Sequence, residues 1–289
     1  MITNRAASIR ARLKQRSDAA REDFNLVLTR FGLERLLYRL SISPYSNQFL
    51  LKGALAFSLW FDHPHRPTRD ADLLGFGPDD AARLVRVFQA VSKIAVDDGI
   101  EFDSSSVQAM EIREEALYGG IRVTLNATLD KAKIKLQVDV GFGDAVTPAA
   151  MEHTYPVLLD DLLAPTLRVY PRETVCAEKL EAIVKLGMAN SRMKDYFDLV
   201  ALARENALDR VQLATAIGKT FERRATTLPT ELPMGLTLAF AEDSQKQRQW
   251  AAFLKRNRLQ ASPLTEVVRE ISEFFSPYLI AASSSGNAR

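Results

Sequence analysis

The pattern of apolar and polar residues changes twice along the chain, and its first part predicts two amphipathic helices. Ile9 and Leu13 form the apolar stripe of a charged N-terminal helix. A second apolar face begins at Phe24, is interrupted near Gly32 and ends before Pro44, because proline disfavours helical geometry in the residue before it. Residues 1–45 are therefore predicted to form N-terminal helices that pack on the core.

Polar and apolar positions alternate in the central region, which is the pattern of half-buried β-strands. A short helix beginning at Gly53 and a short strand with two aspartates come first. The remaining predicted elements are a helix from about residue 79 to 98 and strands near 107–114, 120–130 and 133–142, with turns at 119–120 and 130–131. Residues 46–165 are therefore predicted to be the catalytic core.

Helical periodicity returns at Pro171, since proline is favoured where a helix begins. Several amphipathic helices follow, and the last is predicted to end at Pro277. Residues 166–282 are thus predicted to form a mostly helical C-terminal lobe. The serine-rich residues 283–289 are predicted to be a disordered tail.

Composition is that of an ordinary globular protein, with 47% hydrophobic and 26% charged residues among 289. The single cysteine, Cys176, excludes an intrachain disulfide and fits a reducing compartment. No apolar run reaches the ~20 residues that a membrane span needs, and the basic N-terminus lacks the apolar core of a signal peptide. The expected location is the cytoplasm. The net charge of +2 does not indicate nucleic-acid binding. Each basic cluster, such as Arg223-Arg224, is interpreted as a solvated helix face, and a basic surface for tRNA phosphates assembled from several clusters stays an alternative.

Asp70 and Asp72 are the first candidate chemistry, because residues two apart on a strand point to the same side. Two carboxylates that close repel unless a cation lies between them or one of them takes a proton. Mg²⁺ accepts one or two carboxylates and completes its shell with water and phosphate oxygens. Asp139 ends the polar face of the strand over 133–142 and would complete a three-carboxylate cradle for two metal ions. Asp-x-Asp alone is common and is usually a surface or turn feature. The residues around it are what favour a catalytic role here.

That pattern resembles the AbiEii/MenT nucleotidyltransferase toxins of the DNA polymerase β-like superfamily. The similarity extends over ordered blocks at residues 34–41, 49–54, 66–73, 136–144, 177–180 and 194–199. It implies an α+β fold, in which a mixed nucleotidyltransferase sheet with flanking helices is followed by a mostly helical C-terminal lobe. It also implies that Asp70, Asp72 and Asp139 are catalytic and bind Mg²⁺, or Mn²⁺ in its place.

The predicted nucleotide site around the glycine turn consists of Lys52, Gly53, Ala54, Arg66 and Thr68. Arg66 is interpreted either as a group that neutralises phosphate charge or as a residue that only solvates the loop. The turn usually reads Gly-Gly or Gly-Ser in the superfamily. Ala54 lacks a hydroxyl, so the triphosphate would depend more on backbone N–H groups. The hydroxyl of Thr68 is interpreted as a phosphate ligand, as a phosphorylation site or as an ordinary residue at the start of the strand.

A second cluster lies in the helical region, where the resemblance implies that Lys179 and Asp198 are catalytic and that Lys194 and Asp195 bind nucleotide. Lys179 would pair with the triphosphate, and either Asp195 or Asp198 would orient it. From spacing alone, Lys194 and Asp198 form an i, i+4 ion pair worth a few tenths of a kcal/mol.

The resemblance implies the toxin of a bacterial toxin–antitoxin system. Such an enzyme transfers a nucleoside monophosphate from an NTP to an RNA acceptor, the 3′ end of tRNA, and so blocks aminoacylation. A cognate antitoxin is the expected protein partner. Two alternatives stay open at this stage: a protein acceptor in place of RNA, and a catalytically silent nucleotide-binding module.

Overall fold

The chain folds as two units, which the computed structural model describes at residues 4–61, 65–114, 118–205 and 207–286. The first unit comprises Met1–Gly143 and Met151–Val169. The second comprises Asp144–Ala150 and Tyr170–Arg289. In the described residues, no helix is long and apolar enough to cross a membrane.

A mixed β-sheet forms the centre of the first unit. Its strands, in chain order, are β1 (Phe49–Lys52), β2 (Ala71–Gly75), β3 (Ile100–Glu114), β4 (Tyr118–Leu129), β5 (Ala132–Phe142), β6 (Met151–Thr154) and β7 (Thr166–Val169). Their order in the sheet is β3-β4-β5-β2-β1-β7-β6. The pairs β2–β5 and β1–β7 are parallel, and the other neighbours are antiparallel. This arrangement brings β2 and β5, which are distant in sequence, side by side.

The first unit also contains α1 (Arg5–Ala20), α2 (Phe24–Ser41), α3 (Gly53–Ala56) and α4 (Ala81–Ser92). The side chain of Asp23 caps α2 and that of Asp80 caps α4, in each case by accepting backbone N–H bonds. The predicted break near Gly32 is wrong, because α2 is continuous there. A Cβ at Gly32 would lie 2.8 Å from a Leu136 methyl carbon, so this glycine allows α2 to approach β5 closely.

The predicted alternation along β5 is confirmed by burial. Ile134, Leu136, Val138 and Val140 face the core, whereas Lys133 and Lys135 are exposed. The turn at 130–131 is also confirmed, with Asp130 at φ 54°.

Two other predictions for the first unit fail. Gly119 and Gly120 lie within β4, paired with Arg113 and Ile112, so they do not form a turn. The connection from β3 to β4 instead includes residues 115–117, which are outside the described residues. The predicted helix over 79–98 is also too long, because α4 ends at Ser92 and the buried Asp98 forms an ion pair with Arg39.

Helices dominate the second unit, in agreement with the predicted fold class. They are α5 (Arg172–Leu186), α6 (Met193–Arg204), α7 (Arg210–Arg223), α8 (Leu238–Glu242), α9 (Ser244–Asn257) and α10 (Leu264–Gly286). The prediction that the last helix ends at Pro277 is wrong, since α10 continues past it. Pro277 and Glu273 are both exposed, so the carbonyl that loses its helical partner can bind water. The first part of the predicted tail, 283–286, is therefore helical, and 287–289 lie outside the described residues.

Candidate functional site

Two of the three predicted carboxylates occupy matching positions on neighbouring strands. Asp72 of β2 is the register partner of Asp139 of β5 in a parallel pairing. Neighbouring strands are about 4.8 Å apart, and register partners project from the same face of a sheet. The structure therefore brings Asp72 and Asp139 together, although 67 positions separate them in the sequence.

Asp70 lies just before β2, which begins at Ala71, so it is at the strand entrance instead of within the strand. The hydroxyl of Thr68 donates a hydrogen bond to Oδ1 of Asp70. The Gln137 amide lies between two carboxylates: its Nε2 is 3.5 Å from Oδ2 of Asp70 and 3.3 Å from Oδ2 of Asp139. A single amide therefore spans the space between Asp70 and Asp139, and Thr68 fixes the orientation of Asp70.

Gly53 is required by the position of the Asp72 carboxylate. Its φ of +68° is in the left-handed region, which glycine adopts without steric cost. A Cβ at this position would lie 1.9 Å from Oδ2 of Asp72. Lys52, the register partner of Asp72 on β1, immediately precedes the turn, and α3 begins at Gly53 with the buried Ala54 following. The glycine turn and the Asp72 carboxylate are thus in direct contact.

Arg122 is a site residue that the sequence reasoning missed. It lies on β4 directly opposite Asp139, with Nε 2.9 Å from Oδ1 and Nη2 2.8 Å from Oδ2 of that carboxylate. A bidentate arginine is among the strongest partners that a carboxylate has in proteins. The strand register could have revealed this pair from the sequence. A two-residue turn at 130–131 pairs residue 129 with residue 132, and the same register seven positions further along each strand pairs Arg122 with Asp139.

The donor set fits a hard divalent cation, since Mg²⁺ requires only one or two carboxylates from the protein. The Asp72 carboxylate, held beside the glycine turn, and the nearby Asp70 supply such oxygens. Asp139 has both of its oxygens bonded to Arg122, so it would contribute to a metal site only by sharing or releasing that guanidinium. In the described parts of the chain, no group of three or more His, Cys, Asp or Glu side chains is arranged to hold a metal ion.

The second unit contains a separate buried ionic cluster. Nζ of Lys179 lies 2.7 Å from Oδ1 of Asp195 and 2.8 Å from Oδ2 of Asp198, and both carboxylates are fully buried. Nε of Arg192 donates to the other oxygen of Asp195 at 2.6 Å. Sequence alone could not decide which aspartate orients Lys179, and the structure shows both in contact with it.

The positive charges around Asp195 favour the ionised form of its carboxyl group. Burial raises the pKa of Asp195, but the positive charges of Lys179, Arg192 and Lys194 outweigh it and hold the pKa below its ordinary value. Asp198 of α6 is fully buried and binds Lys179 of α5.

Arg224 was interpreted as part of a solvated basic cluster, and this is wrong. Its side chain is 10% exposed and binds Glu181 at 3.0 Å, Asp144 at 3.1 Å and Glu178 at 3.4 Å within the second unit. Burial lowers the pKa of Arg224, and these three carboxylates more than reverse that effect, so the net shift is upward. This arginine stabilises an acidic cluster and is not available as a surface contact for phosphate.

The first unit thus has a mixed sheet with carboxylates at adjoining positions of two parallel strands, one of them against a glycine turn. The sequence profile of the family described as nucleotidyl transferase AbiEii toxin, type IV toxin–antitoxin system, matches residues 35–274. The chain belongs to this family, and it is accordingly a nucleotidyltransferase of the toxin class. The family resemblance and the α+β fold class predicted from the sequence are confirmed.

Solved structures from Helicobacter pylori are similar to this chain at a low level. JHP933 is 14% identical with a TM-score of 0.49, and the match covers 91% of this chain and 95% of that one. A predicted nucleotidyltransferase has the same identity and TM-score, with 91% and 98% coverage. A comparison with curated protein sequences finds no match.

Proposed function

We propose that this toxin transfers a nucleoside monophosphate from an NTP to the 3′ end of an RNA acceptor, tRNA in particular, and thereby blocks aminoacylation. The observation that carries the proposal is the placement of Asp72 and Asp139 side by side, with Asp70 connected to Asp139 through Gln137. Such a group of anionic oxygens suits an NTP only together with divalent cations, because carboxylates and phosphates repel each other.

Asp70 and Asp72 are the residues that would hold Mg²⁺ or Mn²⁺. When bound there, such an ion would supply positive charge to the triphosphate and would lower the pKa of the attacking hydroxyl. Thr68 keeps Asp70 in one orientation through its hydroxyl hydrogen bond. Arg122 holds Asp139 through two hydrogen bonds and thereby fixes the third carboxylate beside Asp72.

The triphosphate is assigned to the glycine turn. Lys52 precedes the turn on the strand next to Asp72, and Arg66 lies in the segment that leads to Asp70. Both provide positive charge for phosphate oxygens. Gly53 has no side chain, so phosphate can approach its backbone closely, and at Ala54 the backbone N–H replaces the hydroxyl found in similar turns.

The roles of Lys179, Lys194, Asp195 and Asp198 in the nucleotide site remain predictions. The contact of Lys179 with two buried carboxylates supports a fixed cation, because a lysine otherwise has a flexible stem. The same contacts also suit a purely structural ion cluster. A stability measurement on a Lys179 variant, described in the Discussion, separates these two interpretations.

Membership of a toxin–antitoxin family implies a cognate antitoxin. We propose that it acts in the cytoplasm, where NTPs and tRNA are present. Thr68 is one point at which the toxin could be neutralised, because a phosphate on its hydroxyl would place negative charge next to Asp70 and repel the NTP.

The acceptor is tested by incubating the purified protein with Mg²⁺ and each α-³²P-labelled NTP, separately with total tRNA and with protein extract. We expect label on tRNA, lengthened at its 3′ end, and none without divalent cation. Periodate-oxidised tRNA is the matched control, because it lacks the 3′ hydroxyl that attacks the α-phosphate. Label on protein and not on tRNA would show that the acceptor is a protein instead of RNA. Absence of label from both would favour the silent nucleotide-binding module.

A further inference from the structure

Three basic clusters stand out in the sequence, at residues 10–14, 223–224 and 255–258. The structure pairs the first two with carboxylates. Arg12 and Lys14 of α1 each form an ion pair with an aspartate, and Arg224 is held by three acidic residues. Residues 255–258 lie at the end of α9 in the second unit, and the described part of the chain offers them no carboxylate within ion-pair distance. The charge of this third cluster is therefore available to a partner.

The whole of α9 lacks acidic side chains. No Asp or Glu occurs between Asp243, which caps the helix, and Glu266, although the chain has 36 such residues among 289, about one in eight. The same interval contains five basic residues, Lys246, Arg248, Lys255, Arg256 and Arg258. Lys246 is buried and donates to the backbone carbonyl of Asn190 at 2.9 Å. The other four are exposed, so α9 carries an uncompensated positive charge at the surface.

Helical geometry places these cations on one part of the surface. Arg248 and Lys255 are seven residues apart, so they lie on the same side of α9, about 10 Å from each other along its axis. Ala251 and Ala252, both exposed, lie between them, and Arg256 is on the adjoining side. We call Arg248, Lys255 and Arg256 the basic face of α9. Its charges are separated only by short side chains, so an extended anion can lie close to the helix.

Stability of the helix explains only part of this face. Lys255 and Arg256 lie in the last turn, where cations interact favourably with the helix dipole. Arg248 lies in the second turn, where the dipole gives it no such benefit, because the effect is confined to the end turns. Within the described residues, none of these three side chains forms an ion pair or a hydrogen bond.

The other residues of α9 indicate which kind of polyanion fits. Protein interfaces usually have apolar or aromatic side chains at their centre, and no large apolar side chain of α9, which is described throughout, is exposed. Trp250 and Phe253 pack against Phe197, with ring centroids 6.4 and 5.8 Å away, so the apolar side of α9 is covered within the second unit and cannot enter a membrane. A phosphate backbone needs only the exposed cations.

We propose that the basic face of α9 binds the phosphate backbone of the RNA acceptor. Arg248 and Arg256 offer planar guanidinium groups for paired hydrogen bonds to phosphate oxygens, and Lys255 offers a point charge. The choice of RNA rests on the proposed function. The binding itself uses residues of the second unit and requires neither metal ion nor NTP.

The test measures binding of end-labelled total tRNA to the whole protein, without divalent cation or NTP, between about 50 and 200 mM salt. Arg248→Gln, Lys255→Gln and Arg256→Gln are combined, because glutamine is a good helix former. At 0.1 M salt we expect this variant to bind about 10²-fold more weakly, and its slope of log affinity against log salt to be smaller by about 2, since each phosphate contact contributes about 0.7–0.9. Combining Arg248→Lys, Lys255→Arg and Arg256→Lys keeps the charge and should keep the slope.

The matched control removes the same number of positive charges from α1. Arg5→Gln, Arg12→Gln and Lys14→Gln are combined, because each of these exposed cations already has an aspartate partner. This control should keep the affinity and the slope of the unmodified protein, and both triple variants should keep its urea midpoint. Equal losses of affinity in the two triple variants, or unchanged affinity in the α9 variant, would overturn the proposal. Tighter binding of polyglutamate than of tRNA would also overturn it, by assigning the face to an acidic protein.

Nucleotidyl transfer separates this inference from the proposed function. The glutamine variant of α9 should raise the KM for tRNA about 10²-fold and leave kcat unchanged, because the basic face is not part of the catalytic site. If tRNA binding depends on the basic face but no transfer occurs, only the proposed function is refuted. If transfer occurs and the α9 variant keeps the wild-type KM, only this inference is refuted.

Discussion

Replacing Gly53 by alanine adds one methyl group at the point where the glycine turn touches the Asp72 carboxylate. That Cβ would lie 1.9 Å from Oδ2 and 2.6 Å from Cγ of Asp72. Normal contact between such atoms is about 3.5 Å, so the carboxylate must move by roughly 1.5 Å. Alanine at a φ of +68° adds about 1–2 kcal/mol of backbone strain.

The loss of activity should not come from unfolding, because a protein of ordinary stability that loses about 1–3 kcal/mol stays folded. Displacing a catalytic group by about 1 Å can lower the rate about 10²-fold, which corresponds to about 2.7 kcal/mol of transition-state stabilisation. We therefore expect Gly53→Ala to lose at least about 10² in kcat/KM for labelled-NMP transfer. Urea unfolding should show a loss of only about 1–3 kcal/mol, from the backbone strain and local adjustment.

Gly119→Ala is the matched control, because a Cβ at this β4 position meets no atom within 4 Å. This variant should keep wild-type activity. Wild-type transfer by Gly53→Ala would refute the contact between the glycine turn and the catalytic carboxylate. An equal loss in both variants would show that the assay reports general damage to the sheet.

Four further predictions concern other parts of the two clusters. Arg122→Gln weakens the hold on Asp139 and should raise Mn²⁺ affinity in calorimetry; unchanged affinity would show that the ion pair does not compete with metal. Thr68→Glu adds negative charge beside the catalytic carboxylates and should lower the transfer rate about 10²-fold or more. Thr68→Val loses only one hydrogen bond and should lower the transfer rate about tenfold. Equal losses in the two variants would argue against an effect of the added charge. Lys179→Met removes one of the positive charges that contact the buried Asp195, so urea unfolding should show a loss of stability of about 3–5 kcal/mol. Unchanged stability would argue that Lys179 is purely catalytic. The pKa of Asp195 in the folded protein is held below its usual 3.8, so the stabilisation that the charged Asp195 provides is present above pH 3.8 and is lost as the pH falls through the lower, folded value. Urea unfolding at about pH 5 and at about pH 3 measures this loss of stability. Equal stability at the two pH values would contradict the prediction.

Local pattern predicted the parts of the fold that depend on neighbouring residues. Alternation along β5 was sufficient to place its apolar positions in the core and Asp139 on the opposite face. The 130–131 turn determines the register of the hairpin, but the sequence analysis did not follow that register to the pairing of Arg122 with Asp139. Gly32 misled because a glycine in a helix can serve close packing as well as interruption, and only the position of Leu136 distinguishes the two.

The parallel pairing of β2 with β5 could not be read from periodicity, because strands distant in sequence leave no mark of which neighbour each will take. The sequence analysis expected Asp139 to join Asp70 and Asp72 in a cradle, but it did not predict that the two strands pair in parallel. The contact of Lys179 with both Asp195 and Asp198 depends on how α5 and α6 cross after the connection at 187–192, and spacing along one helix contains no such information. Pro277 was misjudged because the exposure of its helix face decides whether the lost hydrogen bond matters.

The most direct measurement of the central claim is transfer of α-³²P-labelled NMP to tRNA by Asp72→Asn. Asparagine keeps the size of the side chain beside Gly53 and removes the negative charge. The account predicts a loss of at least about 10³ in transfer rate, with an unchanged urea midpoint and with full activity in the exposed β6 control Glu152→Gln. Wild-type transfer by Asp72→Asn would contradict it.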